Sequence, residues 1–513
     1  MSDTQKFKEH IVKGNTFKKD FILLGGAMLN GECISEAFVK VPLKTINRHG
    51  LIAGATGTGK TKSLQVIAEQ LSLKGIPVLL MDLKGDLSGL AASGKNNDHI
   101  KWRHGSIGIP YEAQTMPVEL MTISDEKGVR LRATISEFGP VLFSKILELN
   151  DTQQSIIAII FKYCDDQKMP LLDLKDLKKV LQYSIQEGKT DLESEYGRIS
   201  SASVNTIIRK IIELEQQGAE KFFGEKSFEV EDLLRKEDVQ GVINIIRLTD
   251  IQDRPKLFST FMLSLLSEVY GTFEEQGDSD VPKLAIFIDE AHLIFKNASK
   301  ALLDQIEAIV KLIRSKGVGL FFITQNPTDV PDAVLSQLGL KVQHALRAFT
   351  AKDRKAIKQT AENYPISPFY DTADVLTSLG IGEALITALN EKGIPTPLAA
   401  TLMRAPKTRM DVLSDREINK LVKTSDLSRI YNEEVDRESA YEMLGGKIEK
   451  ASKKENQKKV AAERKKAEKA VKKMKDEPSI FETLSKNTMV RQLGRTVMRE
   501  LTRGLLGSLG RKR

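Results

Sequence analysis

One stretch of eight residues constrains this 513-residue chain more than any other: Gly54-Ala55-Thr56-Gly57-Thr58-Gly59-Lys60-Thr61. It matches G-x-x-x-x-G-K-[ST]. It lies between an apolar run, Leu51-Ile52-Ala53, and a helix predicted from Lys60 to Lys74 that Gly75 and Pro77 stop. The residue types follow from the chemistry of a bound phosphate. Glycines let backbone N–H groups turn inward around phosphate oxygens without a Cβ clash. The helix N-terminus adds free donors and a favourable dipole. Lys60 reaches the β- and γ-phosphates, and the Thr61 hydroxyl is placed to ligate Mg²⁺. A chance Gly-rich turn would not need a strand before it and a helix after it.

The strand–helix alternation continues along the chain. Val78 to Asp82, Val242 to Ile246, Leu284 to Ile288 and Leu320 to Ile323 read as buried strands, with Val342 to Leu346 and Ala384 to Thr387 as further candidates. Leu257 to Phe273 reads as an apolar helix. Leu302, Ile306, Ile309 and Ile313 mark one face of another, ended by Gly317 and Gly319. This order predicts an α/β fold with a mostly parallel sheet, right-handed crossovers and helices on both faces. Composition shifts divide the chain further. Residues 1–47 form a short β-rich segment, with small strands near Phe21–Leu24 and Ala37–Val41 and a turn at Gly25-Gly26. Residues 48–120 and 237–405 are two parts of one core, separated by a helical insertion over 121–236. Residues 406–446 form a helical connection, 447–477 a charged solvated helix, and 478–513 an Arg/Gly-rich end.

A second motif complements the first. The apolar run Leu284-Ala285-Ile286-Phe287-Ile288 delivers Asp289 to the carboxyl edge of the sheet, where it can hold Mg²⁺ directly or through water. Glu290 follows, placed to polarise an attacking water. Asp-Glu-Ala at a strand–helix junction is also a good helix start, so capping is the alternative reading. Thr324-Gln325 ends a neighbouring strand, which lets Gln325 sense the γ-phosphate or the water. Arg314 ends the helix that follows Glu290, and Arg48 precedes the first core strand. Each is either a local structural cation or an arginine reaching a neighbouring subunit's nucleotide. Asp82 reads as a cap for the turn after its strand, and His49 and His292 as structural residues.

Composition narrows the setting. Only two cysteines, Cys33 and Cys164, lie far apart, which excludes a disulfide scaffold and a cysteine zinc ribbon and suits the reducing cytoplasm. The polar start does not read as a signal peptide, and no apolar run approaches the length of a membrane span. The net charge of +8 is uneven. Residues from Lys447 onward hold 21 Lys and Arg against 8 Asp and Glu, a net +13, so residues 1–446 are net −5. A basic tail of this kind can bind DNA or simply be a solvated helix.

Several further stretches occur in a fixed order: Arg48-His49-Gly50 running into the phosphate loop, Met81-Asp82-Leu83-Lys84-Gly85-Asp86, Leu149-Asn150-Asp151-Thr152-Gln153, Ile288-Asp289-Glu290-Ala291-His292, Thr324-Gln325-Asn326-Pro327, and Gln337-Leu338-Gly339 to Val342-Gln343-His344-Ala345-Leu346-Arg347. With these the chain resembles the HerA branch of the HerA/FtsK ATPases, and within it the bacterial HerA-like helicases. The resemblance spans roughly residues 20–405. It implies a RecA-type P-loop sheet, a hexameric ring, ATP with Mg²⁺ bound between subunits, and hydrolysis coupled to movement on DNA. By motif position Lys60 and Thr61 would bind phosphates and Mg²⁺, Glu290 would be catalytic, and Arg314 and Arg48 would act across the subunit interface. The 47 residues before Arg48 are fewer than the barrel domain of archaeal HerA needs. That argues against contact with a nuclease through such a barrel and leaves a nuclease or other protein partner to other surfaces.

The leading expectation is thus an ATP-driven DNA translocase or helicase. Lys84 and the loop near Asn326 are its candidate channel contacts. Two alternatives are a secretion-type ATPase acting on polypeptide and a nucleotide-gated scaffold without motor activity. A pure scaffold has no use for a catalytic carboxylate beside Lys60 and Asp289.

Overall fold

The computed structural model describes residues 2–475, except 278, 297–299, 434 and 436. Its strands, in chain order, are β1 (Phe21–Leu29), β2 (Glu32–Pro42), β3 (Gly50–Ala53), β4 (Val78–Asp82), β5 (Val118–Thr122), β6 (Val129–Arg130), β7 (Lys236–Glu237), β8 (Gln240–Gly241), β9 (Ile243–Arg247), β10 (Leu284–Ile288), β11 (Val318–Thr324), β12 (Leu340–Gln343), β13 (Glu383–Thr387) and β14 (Ala399–Met403). Apart from the small β7–β8 hairpin, they form one twelve-stranded sheet in the order β2-β1-β14-β13-β12-β3-β11-β10-β4-β9-β5-β6. From β12 to β6 every neighbouring pair is parallel. From β12 back to β2 every pair is antiparallel. The sheet is therefore mixed but mostly parallel, a RecA-like P-loop architecture.

The apolar runs explain this arrangement. β3, β4, β10 and β11 are buried along their whole lengths, as strands covered on both faces must be. Phe287 and Phe321, neighbours on β10 and β11, stack with ring centroids 4.5 Å apart and are fully buried. The helix Lys60–Leu73 buries Leu64, Ile67, Ala68 and Leu71, residues at helical spacing. Ile306, Ile309 and Ile313 are buried as their spacing predicts, whereas the side chain of Leu302 lies outside the described residues.

Three expectations need correction. The N-terminal segment is not a set of small strands but a helix, Asp3–Gly14, and two long strands joined to the main sheet. Gly25-Gly26 lies inside β1 rather than in a turn. A Cβ at Gly25 would sit 2.0 Å from the Leu402 carbonyl oxygen of β14 and one at Gly26 2.6 Å from Cys33 Sγ of β2, so these glycines permit close approach to both neighbouring strands. Second, the segment from residue 121 does not begin helical. β5 crosses that boundary and β6 extends the sheet edge; α-helices run from Ile135 to Gln216, followed by short 3₁₀ turns at Ala219–Lys221 and Val230–Leu234. Third, β14 has no counterpart among the predicted strands, although it carries the antiparallel half of the sheet.

The Asn150–Gln153 stretch is a capping box. Each side chain accepts from the other residue's backbone N–H at the start of helix Asp151–Asp166. Residues 2–442 of the described chain form one compact unit, and residues from Met443 belong to a second. A helix runs from Ala440 to Lys475, covering most of the predicted charged segment, while 478–513 lies outside the described residues. No described helix is long and apolar enough to cross a membrane.

Candidate functional site

The strand order puts the two motifs together. β11 lies between β3, which runs into the phosphate loop, and β10, which ends at Asp289; β4 follows on the far side of β10. All four strands are parallel, so their carboxyl ends share one edge. Gly54–Thr61, Gln325, Asp289-Glu290 and Asp82–Asp86 therefore line that edge in sequence.

The loop has the backbone that a phosphate cradle needs. Gly54, Gly57 and Gly59 all adopt positive φ, at 150°, 77° and 114°. A Cβ at Gly54 would meet the Cβ of His344 at 2.5 Å. Thr58 closes the loop by donating its hydroxyl to the Ala55 carbonyl at 2.7 Å. Two neighbouring strands hold it from outside: the Ala55 N–H donates to the Ala345 carbonyl and the Gly382 N–H to the Thr58 carbonyl. Lys60 Nζ donates to the carbonyls of Gly54 and Ala55, at 2.7 and 3.1 Å, from a largely buried position. Burial, then the neighbouring Lys84, lowers its pKa against the pull of Glu290 and Asp289.

His344 is a support that motif reading passed over. It is fully buried beneath the loop, its ring nitrogens paired with Ser63 Oγ at 2.9 Å and the Glu383 carbonyl at 2.8 Å. Burial pushes its pKa down to about 4, so the ring is neutral and one of its nitrogens accepts. The signal lay in the polar pair Gln343-His344 where β12 ends, beside the phosphate loop.

The acidic side is equally enclosed. Asp289 is 5% exposed and Glu290 8%. Burial, reinforced by Glu290, raises Asp289 to about 6, while Lys84 opposes the shift. Thr61 Oγ1 donates to Asp86 Oδ2 at 3.3 Å, and Asp86 Oδ1 is buried without a hydrogen bond. Thr61 and Asp86 thus meet beside the cradle, with Asp289 near enough to feel the Asp86 charge, and hard oxygens of this kind are the donors a divalent cation takes when phosphate and water complete its shell. No group of three or more acidic, histidine or cysteine side chains among the described residues forms a closed metal cage. Hydroxyl and carboxylate oxygens of this kind, with Asp86 Oδ1 buried and unpaired, fit a Mg²⁺ held together with a nucleotide's phosphates.

Asp82 caps, as its position predicts. Its carboxylate accepts from the backbone N–H groups of Gly85, Asp86 and Leu87 at 2.7, 3.2 and 3.1 Å, and burial raises its pKa to about 7. Lys84 does not behave as a free channel contact. Its ammonium pairs with Glu290 Oε1 and lies 4.0 Å from Asp289 Oδ2. Gln325 is exposed at the end of β11, beside a cleft lined by His292, Phe295, Asn326 and Asp329. The Thr324 hydroxyl donates to Asp329 Oδ2 at 2.9 Å.

Arg48 and Arg314 lie at the opposite edge. Arg48 ends a 3₁₀ turn just before β3, against the turn at Gly393, and Arg314 lies in the 3₁₀ turn Ile313–Lys316 just before β11. His49 sits between their elements, bonded to the Val310 carbonyl at 2.8 Å and the Leu320 N–H at 3.0 Å. Burial, with Arg314 adding to it, lowers His49 to about 4. Neither arginine is brought to the phosphate loop of its own chain.

Comparison with known proteins gives the chain a family. The family model for the helicase HerA-like C-terminal region matches residues 28–513. The chain is 23% identical over 384 residues to the DNA double-strand break repair helicase HerA of Sulfolobus acidocaldarius, covering 71% of this chain and 66% of that protein. It is 24% identical to its counterpart from Sulfurisphaera tokodaii, covering 69% and 64%, and 25% identical to the DNA import protein CedB of Sulfolobus acidocaldarius, covering 69% and 52%. The chain thus spans less than two thirds of the length of these relatives. Among solved structures it resembles the bacterial conjugative coupling protein TrwB, with a TM-score of 0.51 at 13% identity, covering 80% of this chain and 95% of that one. A likeness at that identity concerns the fold.

Proposed function

The chain belongs to the helicase HerA-like C-terminal family, and from that premise we propose that it is an ATP-hydrolysing ring motor, a DNA translocase or helicase of the cytoplasm. The observation that carries the reading is the split of the site across the sheet. Lys60, Thr61, Asp289 and Glu290 share one edge, and Arg48 and Arg314 share the other. A head-to-tail ring sets the second edge of one subunit against the first edge of its neighbour, closing the site at each interface. A hexamer is the ring we propose, and the absence of a disulfide at Cys33 or Cys164 suits a reducing compartment.

In this reading the inward N–H groups of the loop and the Lys60 ammonium bind the β- and γ-phosphates of ATP. Thr61 and Asp289 would hold Mg²⁺, which would supply positive charge to the phosphate oxygens. Glu290 orients and deprotonates the attacking water, and Gln325 contacts the terminal phosphate from the strand between. Arg314 and Arg48 stabilise transition-state charge from the neighbouring subunit. DNA as cargo is supported by the HerA and CedB relatives, whose names record work on DNA.

The test is ATP turnover by the full chain with and without duplex or single-stranded DNA. A DNA motor shows stimulation that fades as salt rises, because backbone contacts release counterions. Lys60→Ala and Glu290→Gln both abolish steady-state turnover, and the Gln variant still binds ATP and keeps only a residual rate measurable in single-turnover hydrolysis. Absence of stimulation by any nucleic acid transfers the reading to a polypeptide cargo; absence of turnover in a folded sample reduces it to a nucleotide-gated scaffold.

A further inference from the structure

The two oxygens of Glu290 have different surroundings. Oε1 is paired with the Lys84 ammonium. Oε2 is buried and makes no hydrogen bond; His292 Nδ1 lies 3.1 Å away but off the line that a bond requires. A buried carboxylate oxygen without a donor is costly, and such atoms in native proteins mark a place where another group binds. Glu290 also holds φ at +48°, a left-handed conformation that non-glycine residues adopt only where the surroundings impose it. Its backbone is fixed there by the next residue, whose N–H donates to the Ile323 carbonyl on β11.

Lys84 is fixed in turn. Its backbone lies in the turn that the Asp82 carboxylate gathers through three N–H groups. Gln252 Nε2 donates to the Leu83 carbonyl, and the Leu248 N–H donates to the Asp82 carbonyl. The lysine side chain is 39% exposed and the Glu290 side chain 10%, so the ammonium reaches the carboxylate from the open side of the site. A rigid turn thus delivers one cation to one oxygen of a buried acid and leaves the other oxygen, with His292 beside it, without a hydrogen bond.

From this we infer that Lys84 is a positioning residue for Glu290: it anchors Oε1 so that Oε2 alone faces the water to be activated. The inference rests on the hydrolytic role proposed for Glu290 and deepens it. Lys84 takes no proton and touches no phosphate. It removes the rotational freedom of a carboxylate that would otherwise sample several orientations, and a misplacement of about 1 Å costs on the order of 10²-fold in rate.

The test compares Lys84→Met, Lys84→Arg, Glu290→Gln and the Lys84→Met/Glu290→Gln double variant in the full chain. Single-turnover hydrolysis and binding of a fluorescent ATP analogue are both measured. Lys84→Met is expected to lower the hydrolysis rate by about 10²-fold while nucleotide affinity stays within about 3-fold. Lys84→Arg recovers most of the rate. The double variant is no slower than Glu290→Gln alone, because the lysine acts only through the carboxylate. Loss of nucleotide affinity in Lys84→Met, in either background, overturns the inference and makes Lys84 a phosphate contact. An unchanged rate in folded Lys84→Met overturns it as well, and so does an additive double variant. If the unaltered chain turns over no ATP, it is the reading of Glu290 that fails, a result separate from these.

Discussion

The placement of the two arginines makes a quantitative prediction about mixed assemblies. Arg48 precedes Gly54 by six residues along β3, a separation of about 20 Å at the rise of a strand, and Arg314 precedes the end of β11 by ten residues. Either distance exceeds what an arginine side chain spans, so each must serve another subunit or none. Arg314→Ala and Lys60→Ala proteins, each inactive alone, are mixed before assembly in equal amounts. An interface works only when its phosphate loop comes from the Arg314→Ala chain and its arginine from the Lys60→Ala chain. Random assembly makes about one interface in four of this kind, whatever the number of subunits in a closed ring. The arginine is expected to be worth about 10³-fold or more in turnover, so each parent contributes a negligible background. Turnover of the mixture should therefore approach about a quarter of the wild-type rate if interfaces fire independently, and less if they fire in strict succession. ATP hydrolysis after mixing dissociated subunits, with size measured in parallel, is the assay. A mixture whose rate equals the sum of the two parents, in particles shown to have exchanged subunits, refutes action in trans.

Two further outcomes are expected. His49 is buried as the neutral base with a pKa near 4 against 6.5 in the unfolded chain, so below pH 6.5 the unfolded chain gains protons that the folded chain refuses. Relative to a His49→Gln variant, the unfolding free energy of the wild type should drop by about 2.5 kcal/mol between pH 7.5 and pH 4.5, read by denaturant titration; a flat difference would show that the ring is charged in the fold. Asp82 and Asp289, raised to about 7 and about 6, act with the opposite sign in that window, which is why the variant and not the raw profile is the comparison. The glycines of the loop should also separate. Gly54→Ala places a methyl 2.5 Å from His344 Cβ and should lose both thermal stability and nucleotide binding, whereas Gly57→Ala meets no atom within 4 Å and should cost only about 1 kcal/mol for its positive φ. Equal melting temperatures for the two variants would contradict this account of the cradle.

Much of this architecture is legible in the amino-acid sequence. The loop, the acidic strand and their flanking apolar runs are local patterns with a fixed physical cause, and their strands fall within a few residues of the expected positions. The pairing of β14 with β1 is not legible, because antiparallel partners separated by more than 370 residues leave no periodic trace in either segment. Gly25-Gly26 misleads for a related reason: the same residues mark a turn when alone and a close contact when a second backbone lies against them. Lys84 is visible as a charged residue after a strand, yet whether a lysine at such an edge faces solvent or a buried acid depends on which strand lies next to it. That β4 borders β10 is a matter of topology, which spacing does not encode.

The N-terminal hairpin has a practical consequence. The backbone N–H and carbonyl of Leu23 are both held by the side chain of Gln70, three residues from the end of the helix that starts at Lys60. Cutting the chain just ahead of Arg48, where motif boundaries invite it, would strip that helix of a brace and lay bare the flank of β14 as a template for stray strands. A shortened chain of this kind should precipitate instead of staying in solution, so what looks like a dispensable extension is better regarded as a chassis member.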